Sequence, residues 1–189
     1  MAAIQILDKE TVGGTKYPLK KIKFEKPDLE GKMHDEENEV YYRPDAVGVL
    51  LVDEKKKLLL LTRQFRLPAF LNGSESGYLV ETCAGLIEET ETPEQALRRE
   101  VMEETGYEVD TYEKVAGVYS SAGGITEFLH LFIARFDSTA EAKEGGGLAS
   151  ENEAVEIIKL TFAEAKAQLA RGEFKDAKTL ILLQHYFLS

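Results

Sequence analysis

Between Ala84 and Val109 the chain carries eight glutamates, and Glu100, Glu103 and Glu104 stand three and four positions apart. On a helix those positions share one face. Like charges at that spacing repel, and near a helix C-terminus they also meet the negative end of the backbone dipole. A divalent cation removes the conflict. Magnesium is a hard ion that takes oxygen ligands and keeps waters that phosphate oxygens can replace. The competing reading is a solvated acidic face, the ordinary fate of a glutamate-rich helix. A fixed order argues for the first. Gly85 is followed after five residues by Glu91, and after seven more by Arg99-Glu100-Val101-Met102-Glu103-Glu104-Thr105-Gly106.

The element that must hold these carboxylates is legible. Thr92, Pro93 and Gln95 form a helix start: a hydroxyl to take a backbone N–H, a proline at the first helical position, and a glutamine closing a capping box. Gly106 suits the left-handed stop. The spacing predicts a helix over 93–105, with Ala96, Leu97, Val101 and Met102 on the packing side.

Around it, strands and helices are interleaved. "LKKIKFEKP" (19–27) and "NEVYYRP" (38–44) alternate as strands with one wet face, joined by a hairpin-like turn over 28–36. "AVGVLLVD" (46–53) and "KLLLLTRQFR" (57–66) are more apolar and read as buried strands flanking the turn "DEKKK". "LPAFLNGSESG" (67–77) reads as a loop and "YLVETCAG" (78–85) as one strand. Strands are expected at 112–120, 127–136 and 154–160. Helices are expected at 162–171, opened by a Thr161–Glu164 capping box and closed by Gly172, and at 177–187. There is no internal repeat and no long low-complexity segment.

With 189 residues, 43% hydrophobic and a net charge of -11, the chain fits one domain with a small appended element. The acidic balance argues against nucleic acid as main partner. No segment reaches the ~20 apolar residues of a membrane span, and the start of the chain lacks a targeting pattern. A soluble cytoplasmic protein is expected. Cys83 is the only cysteine, so no disulfide forms within the chain; it reads as a packing residue. The three histidines are dispersed, and His130 in an apolar strand reads as a core or semi-buried side chain rather than a ligand. Glycines 145–147 lack the lysine and the strand-to-helix setting of a phosphate loop and read as a hinge.

The bracketed order resembles the signature of the Nudix hydrolases, G-x5-E-x7-R-E-U-x-E-E-x-G-U, with U a bulky aliphatic. The positions Gly85, Glu91, Arg99, Glu100, Val101, Glu103, Glu104 and Gly106 all match, and Tyr107 stands where the last aliphatic is usual. The resemblance implies an α/β/α sandwich around a mixed sheet (α+β or α/β), here with an antiparallel N-terminal region. It also implies roles. Glu100, Glu104 and the Ala84 carbonyl would hold Mg²⁺ (or Mn²⁺), with Glu103 in support, and Glu91 and Arg99 would pair to hold the loop on the helix. The reaction would be attack of water on a diphosphate.

The flanks "RQFR", "NGSESG", "ETCAGLIE", "SSAGGITE" and "GEFKDAKT" resemble the nucleoside-diphosphate-sugar subgroup over nearly the whole chain. That likeness implies a homodimer that exchanges an N-terminal arm, residues 1–43, with a hydrolase domain over 44–189. It makes Arg66, Lys178, Glu127, Tyr17 and Arg63 candidate substrate contacts: a guanidinium fork for phosphate, a lysine, a carboxylate, a ring to stack on a base, and a second arginine. The ordinary alternative for each is a solvated or packing side chain. Glu151 and Glu153 in "GLASENEAVE" are candidates for general base and for further metal contact, and which takes which role stays open. The expected substrate is GDP-mannose, cleaved to GMP and mannose 1-phosphate; ADP-ribose, giving AMP and ribose 5-phosphate, is the alternative. Two other classes compete, a non-catalytic nucleotide-sugar sensor and an acidic protein with no site. The intact Glu100, Glu103 and Glu104 argue against a sensor.

Overall fold

The computed structural model describes residues 4–143, 145–147 and 155–188. The chain divides into two packed units, one running through Asp45 together with Tyr119–Phe128, the other from Ala46 through Val118 and from Leu129 onward.

The first unit is an antiparallel meander of β1 (Gln5–Gly13), β2 (Leu19–Pro27) and β3 (Met33–Tyr41). The β2–β3 hairpin is tighter than the sequence suggests, because β3 begins within the stretch read as turn. Asp28 is the reason. Its carboxylate accepts the Glu30 and Lys32 N–H groups at 2.9 Å each and bonds His34 at 2.8 Å, an Asx-type closure that lets pairing start at Pro27↔Met33. Residues 119–128 join this unit through Tyr41, which donates to the Gly124 carbonyl at 2.8 Å and accepts from Thr126 at 3.1 Å.

The second unit is built on a mixed sheet. Its strands are β4 (Ala46–Asp53), β5 (Leu58–Phe65), β6 (Tyr78–Glu81), β7 (Cys83–Leu86), β8 (Thr111–Tyr119), β9 (Phe128–Arg135) and β10 (Glu156–Thr161). The main path runs β10-β5-β4-β9-β8, with β6 against β5 and β7 against β4. The β4–β9 pairing is parallel, whereas β10–β5, β4–β5, β4–β7 and β5–β6 are antiparallel. Every residue of β4 is buried, as its unbroken apolar run requires of a strand covered on both faces.

Alternation along the strands sorts two cores. Val47, Val49, Leu51, Leu60 and Phe132 pack with Ala96, Leu97 and Val101 of α2 (Pro93–Thr105). Leu50, Val52, Leu59, Leu61, Leu131 and Ile133 pack with Ala165 of α3 (Phe162–Ala170) and with Leu182 and Leu183 of α4 (Ala177–Leu188). One sheet between two helical layers is the sandwich expected.

Two local expectations are corrected. The segment 67–77 opens with a short helix, α1 (Leu67–Leu71), started by Pro68 in its first turn. The single strand over 78–85 is two strands, because the chain changes partner at Thr82. Glu81 pairs with Thr62 of β5, whereas Cys83 pairs with Val49 of β4. The Thr82 N–H, left between ladders, is bonded by Thr179 Oγ1 at 2.8 Å.

Candidate active site

Both ends of α2 are fixed as its sequence dictates. The Thr92 hydroxyl accepts from Gln95 N–H at 3.3 Å, and the Gln95 side chain accepts from Thr92 N–H at 2.8 Å. Gly106 ends the helix at φ 72°, a left-handed conformation that a residue with a Cβ adopts at a cost. The helix is thereby held in register with β7, and its carboxylates face that strand.

Glu104 is buried, and its carboxylate accepts the Ala84 N–H at 3.2 Å and Gln64 Nε2 at 3.4 Å. Arg99 gathers the rest. Its Nε and Nη2 donate to the two Glu91 oxygens at 2.8 Å each, and Nη2 also donates to the Leu86 carbonyl at 2.9 Å. Its Nη1 donates to Glu100 at 2.7 Å and to Glu103 at 3.1 Å. The bonds to Glu91, outweighing burial, raise the Arg99 proton affinity further, and the same guanidinium holds the Glu91 carboxyl below its ordinary range. One arginine thus offsets three carboxylates, Glu91, Glu100 and Glu103, that would otherwise repel.

Gly85 sets the clearance. It pairs with Val47 in the β4–β7 ladder, and a Cβ built on it would overlap the Glu100 carboxyl group. The absent side chain lets a helix carboxylate lie directly against a strand backbone. Among the described residues, no three His, Cys, Asp or Glu side chains are already gathered into a cation cage; Glu100 and Glu103 lean on Arg99, and Glu104 on Ala84. The donor set is nonetheless that of a hard divalent ion: carboxylate oxygens on one helix face beside a strand glycine. Cys83, next to Ala84, is fully buried. Burial first, then the Glu104 and Glu100 charges, push its thiol well above the usual range, so it is no thiolate nucleophile.

A second polar cluster lies in the same unit. Glu81, at the end of β6, is 1% exposed. Arg66 grips it with two bonds, Nε to Oε1 at 2.7 Å and Nη2 to Oε2 at 3.0 Å. Lys178 adds a bond to Oε2 at 2.5 Å and another to Asp176 at 2.9 Å. Arg66 and Lys178, separate candidates in the sequence, therefore meet on one carboxylate. Arg63 is placed otherwise: it pairs with Glu156 at 3.0 Å across β5–β10 and stacks over Tyr78 at 4.8 Å.

Tyr17 and Glu127 belong to the other unit, where Arg43 brings them together. Its Nε lies 3.2 Å from Glu127 and its guanidinium 5.5 Å from the Tyr17 ring centroid. Tyr17 also meets Tyr41 edge-on at 6.3 Å. Glu151 and Glu153 lie outside the described residues. Sequence reasoning missed Glu81, Gln64 and Arg43. A signal existed for Glu81, a lone acid inside the apolar run "YLVET", where a charge is rarely buried without partners.

A family model of the NUDIX domain matches residues 42–183. The chain belongs to the Nudix family. Its carboxylate-bearing helix and glycine strand are the parts of that family's signature segment. The Nudix chain is 42% identical over 182 residues to a GDP-mannose pyrophosphatase of Pectobacterium atrosepticum, covering 96% of this chain and 93% of the relative. It is 40% identical over 182 residues to a GDP-mannose pyrophosphatase of Cronobacter sakazakii, covering 96% and 94%. Among solved structures, one described as an ADP compounds hydrolase superposes with a TM-score of 0.72 and covers 100% of this chain and 95% of that one. At 21% identity that likeness is one of fold; the family model makes the sandwich the Nudix fold. Among the described residues no helix is long and apolar enough to cross a membrane.

Proposed function

We propose that this Nudix hydrolase splits the diphosphate of GDP-mannose, giving GMP and mannose 1-phosphate, with Mg²⁺ as its ion and Mn²⁺ as a substitute. The observation that carries the reading is identity of 40–42% along nearly the full chain to proteins named for that activity, joined to an intact set of box carboxylates.

Glu100, Glu104 and the Ala84 carbonyl would hold the divalent ion, and Glu103 supports Glu100 through their shared partner Arg99. When bound, such an ion supplies positive charge to the phosphate oxygens and makes water a better nucleophile. The remaining work falls to side chains. Arg66 and Lys178 take the phosphates, the first with a planar fork and the second with a point charge. Tyr17 and Glu127 receive the nucleoside or sugar, and Arg63 adds positive charge near the entrance. Glu151 or Glu153 removes the proton from the attacking water. The functional unit is a cytoplasmic homodimer with exchanged N-terminal strands. In support of that, β1 leaves the apolar side chains of Ile6, Leu7 and Val12 between 44% and 49% exposed within one chain, surface that a second copy could cover.

The test is a purified-protein assay with Mg²⁺ and a panel of nucleoside diphosphate sugars, followed by product analysis. GMP and mannose 1-phosphate with the highest kcat/KM on GDP-mannose support the proposal. A much higher kcat/KM on ADP-ribose overturns the substrate, and tight binding without turnover overturns the enzyme in favour of a sensor.

A further inference from the structure

We propose that Glu81 is a positioning residue that locks Arg66 and Lys178 into a single two-cation grip for the substrate's phosphates. The inference rests on the diphosphate-hydrolase reading above and extends it to a residue outside the signature segment.

Three elements converge on this carboxylate. Arg66 follows the end of β5, Glu81 ends β6, and Lys178 is in the first turn of α4. Glu81 spends both oxygens on them, as given above. The bonds are arranged in depth. The Glu81 side chain is 2% exposed and that of Lys178 12%, while Arg66 remains 37% exposed. The carboxylate is therefore sealed beneath, and the guanidinium is the outward part.

Arg66 binds Glu81 through its Nε–Nη2 edge, and among the described residues its Nη1 takes no hydrogen bond. A second fork edge is thus left for a phosphate. Lys178 uses two partners, Glu81 and Asp176, of its three possible donations. Asp176 is itself fixed, since its other oxygen caps α4 through Thr179 N–H at 3.0 Å and Thr179 Oγ1 at 2.6 Å.

Without a shared anion, two neighbouring cations would repel and swing apart, and each would have to be ordered again when substrate arrives. Glu81 removes that cost in advance. Burial alone would push its carboxyl up, but Arg66 and Lys178 hold it below the ordinary range, so the anchor is charged when the enzyme works.

The experiment exploits two effects of opposite sign. Removing a negative charge near the phosphates would by itself tighten binding, whereas losing the anchor loosens it. Wild type and Glu81→Gln are compared for KM and kcat on GDP-mannose at saturating Mg²⁺, together with Mn²⁺ affinity by electron paramagnetic resonance. The expected result is a KM raised about tenfold, the order of one lost charge-assisted hydrogen bond, with kcat within about threefold and Mn²⁺ affinity unchanged. In an Arg66→Ala background the same substitution should raise KM by a smaller factor, about threefold, because only its hold on Lys178 then remains.

A KM that is unchanged or lower in Glu81→Gln, or an effect that persists in full without Arg66, overturns the proposal. If Glu81→Gln does not fold, Glu81→Asp keeps the charge but is one methylene too short to serve both cations; a wild-type KM there is equally contrary. If wild type itself cleaves no nucleoside diphosphate sugar, the underlying reading fails first and the grip falls with it, an outcome visible before any variant is made.

Discussion

Gly85→Ala tests the site through a residue that carries no functional group. The added methyl would fall on the Glu100 carboxyl group. Strand β7 cannot retreat, because Gly85 is paired with Val47 in the buried heart of the sheet. The flexible end of Glu100 must move instead and give up its 2.7 Å bond from Arg99. That loss is at most about 1.5–3 kcal/mol for a charge-assisted bond. It is partly offset by the ~0.4–1 kcal/mol that replacing glycine gains through the unfolded chain. The net cost to stability is about 1–2 kcal/mol, a drop of a few degrees in Tm for a chain of this size. Catalysis suffers far more, since a misplacement of about 1 Å in a catalytic array costs on the order of 10²-fold. The assay is kcat against Mg²⁺ concentration alongside a thermal melt. The expected result is a folded protein whose turnover has fallen about 100-fold and whose Mg²⁺ requirement has shifted upward. Turnover within about threefold of wild type at the same Mg²⁺ midpoint would refute the placement of Glu100 as a ligand pressed against Gly85.

Other variants probe separate parts. Glu104→Gln keeps the shape and an acceptor for the Ala84 N–H but removes the charge and sets an NH2 group against Gln64, so turnover should drop at least about 100-fold while the metal-free protein still folds with stability within about 1–2 kcal/mol of wild type; a collapse of the melt would make Glu104 structural. Thr92→Ala removes the helix cap seen at 3.3 Å and should cost about 1 kcal/mol without changing turnover per folded molecule; a turnover change at equal folding would show that the cap tunes the site. Asp53 is a pH probe. Burial would raise its carboxyl, but bonds from Ser138 and the Lys56 and Lys55 N–H groups lower it from 3.8 to about 2. The folded value is depressed, so this stabilisation is complete above pH 3.8 and is lost as pH falls towards 2. The stability gap between wild type and Asp53→Asn, followed by denaturant titration, should therefore be constant at neutral pH and shrink only within that window. A gap independent of pH down to 2 would contradict the assignment.

The parts of the fold written in local chemistry were legible. The β2 and β4 strands and the α2 helix stand at the positions that alternation, an unbroken apolar run and a capping box gave them. Local reading failed where the deciding partner is distant. The change of ladder at Thr82 depends on Thr179, 97 positions away, and alternation within "YLVETCAG" cannot reveal that its two halves pair with different strands. The α1 helix was hidden by the glycine, serine and asparagine that follow it, and the early start of β3 by the single Asp28 carboxylate that closes the turn.

The site divides in the same way. The box carboxylates share one helix and announce themselves by spacing. Glu81 acquires meaning only when β5, β6 and α4 meet. Arg43 likewise gains its place between Tyr17 and Glu127 from contacts that span most of the chain.

The central claim is that the crowded carboxylates of α2 exist to hold a divalent ion against a bound diphosphate. Anomalous diffraction from crystals grown with Mn²⁺ and a non-hydrolysable nucleoside diphosphate sugar addresses it directly. The account predicts an anomalous peak within bonding distance of the Ala84 carbonyl, Glu100 and Glu104, with ligand phosphate oxygens on the same ion. Ordered ligand and manganese peaks elsewhere, with those three groups bound only to protein, would contradict it.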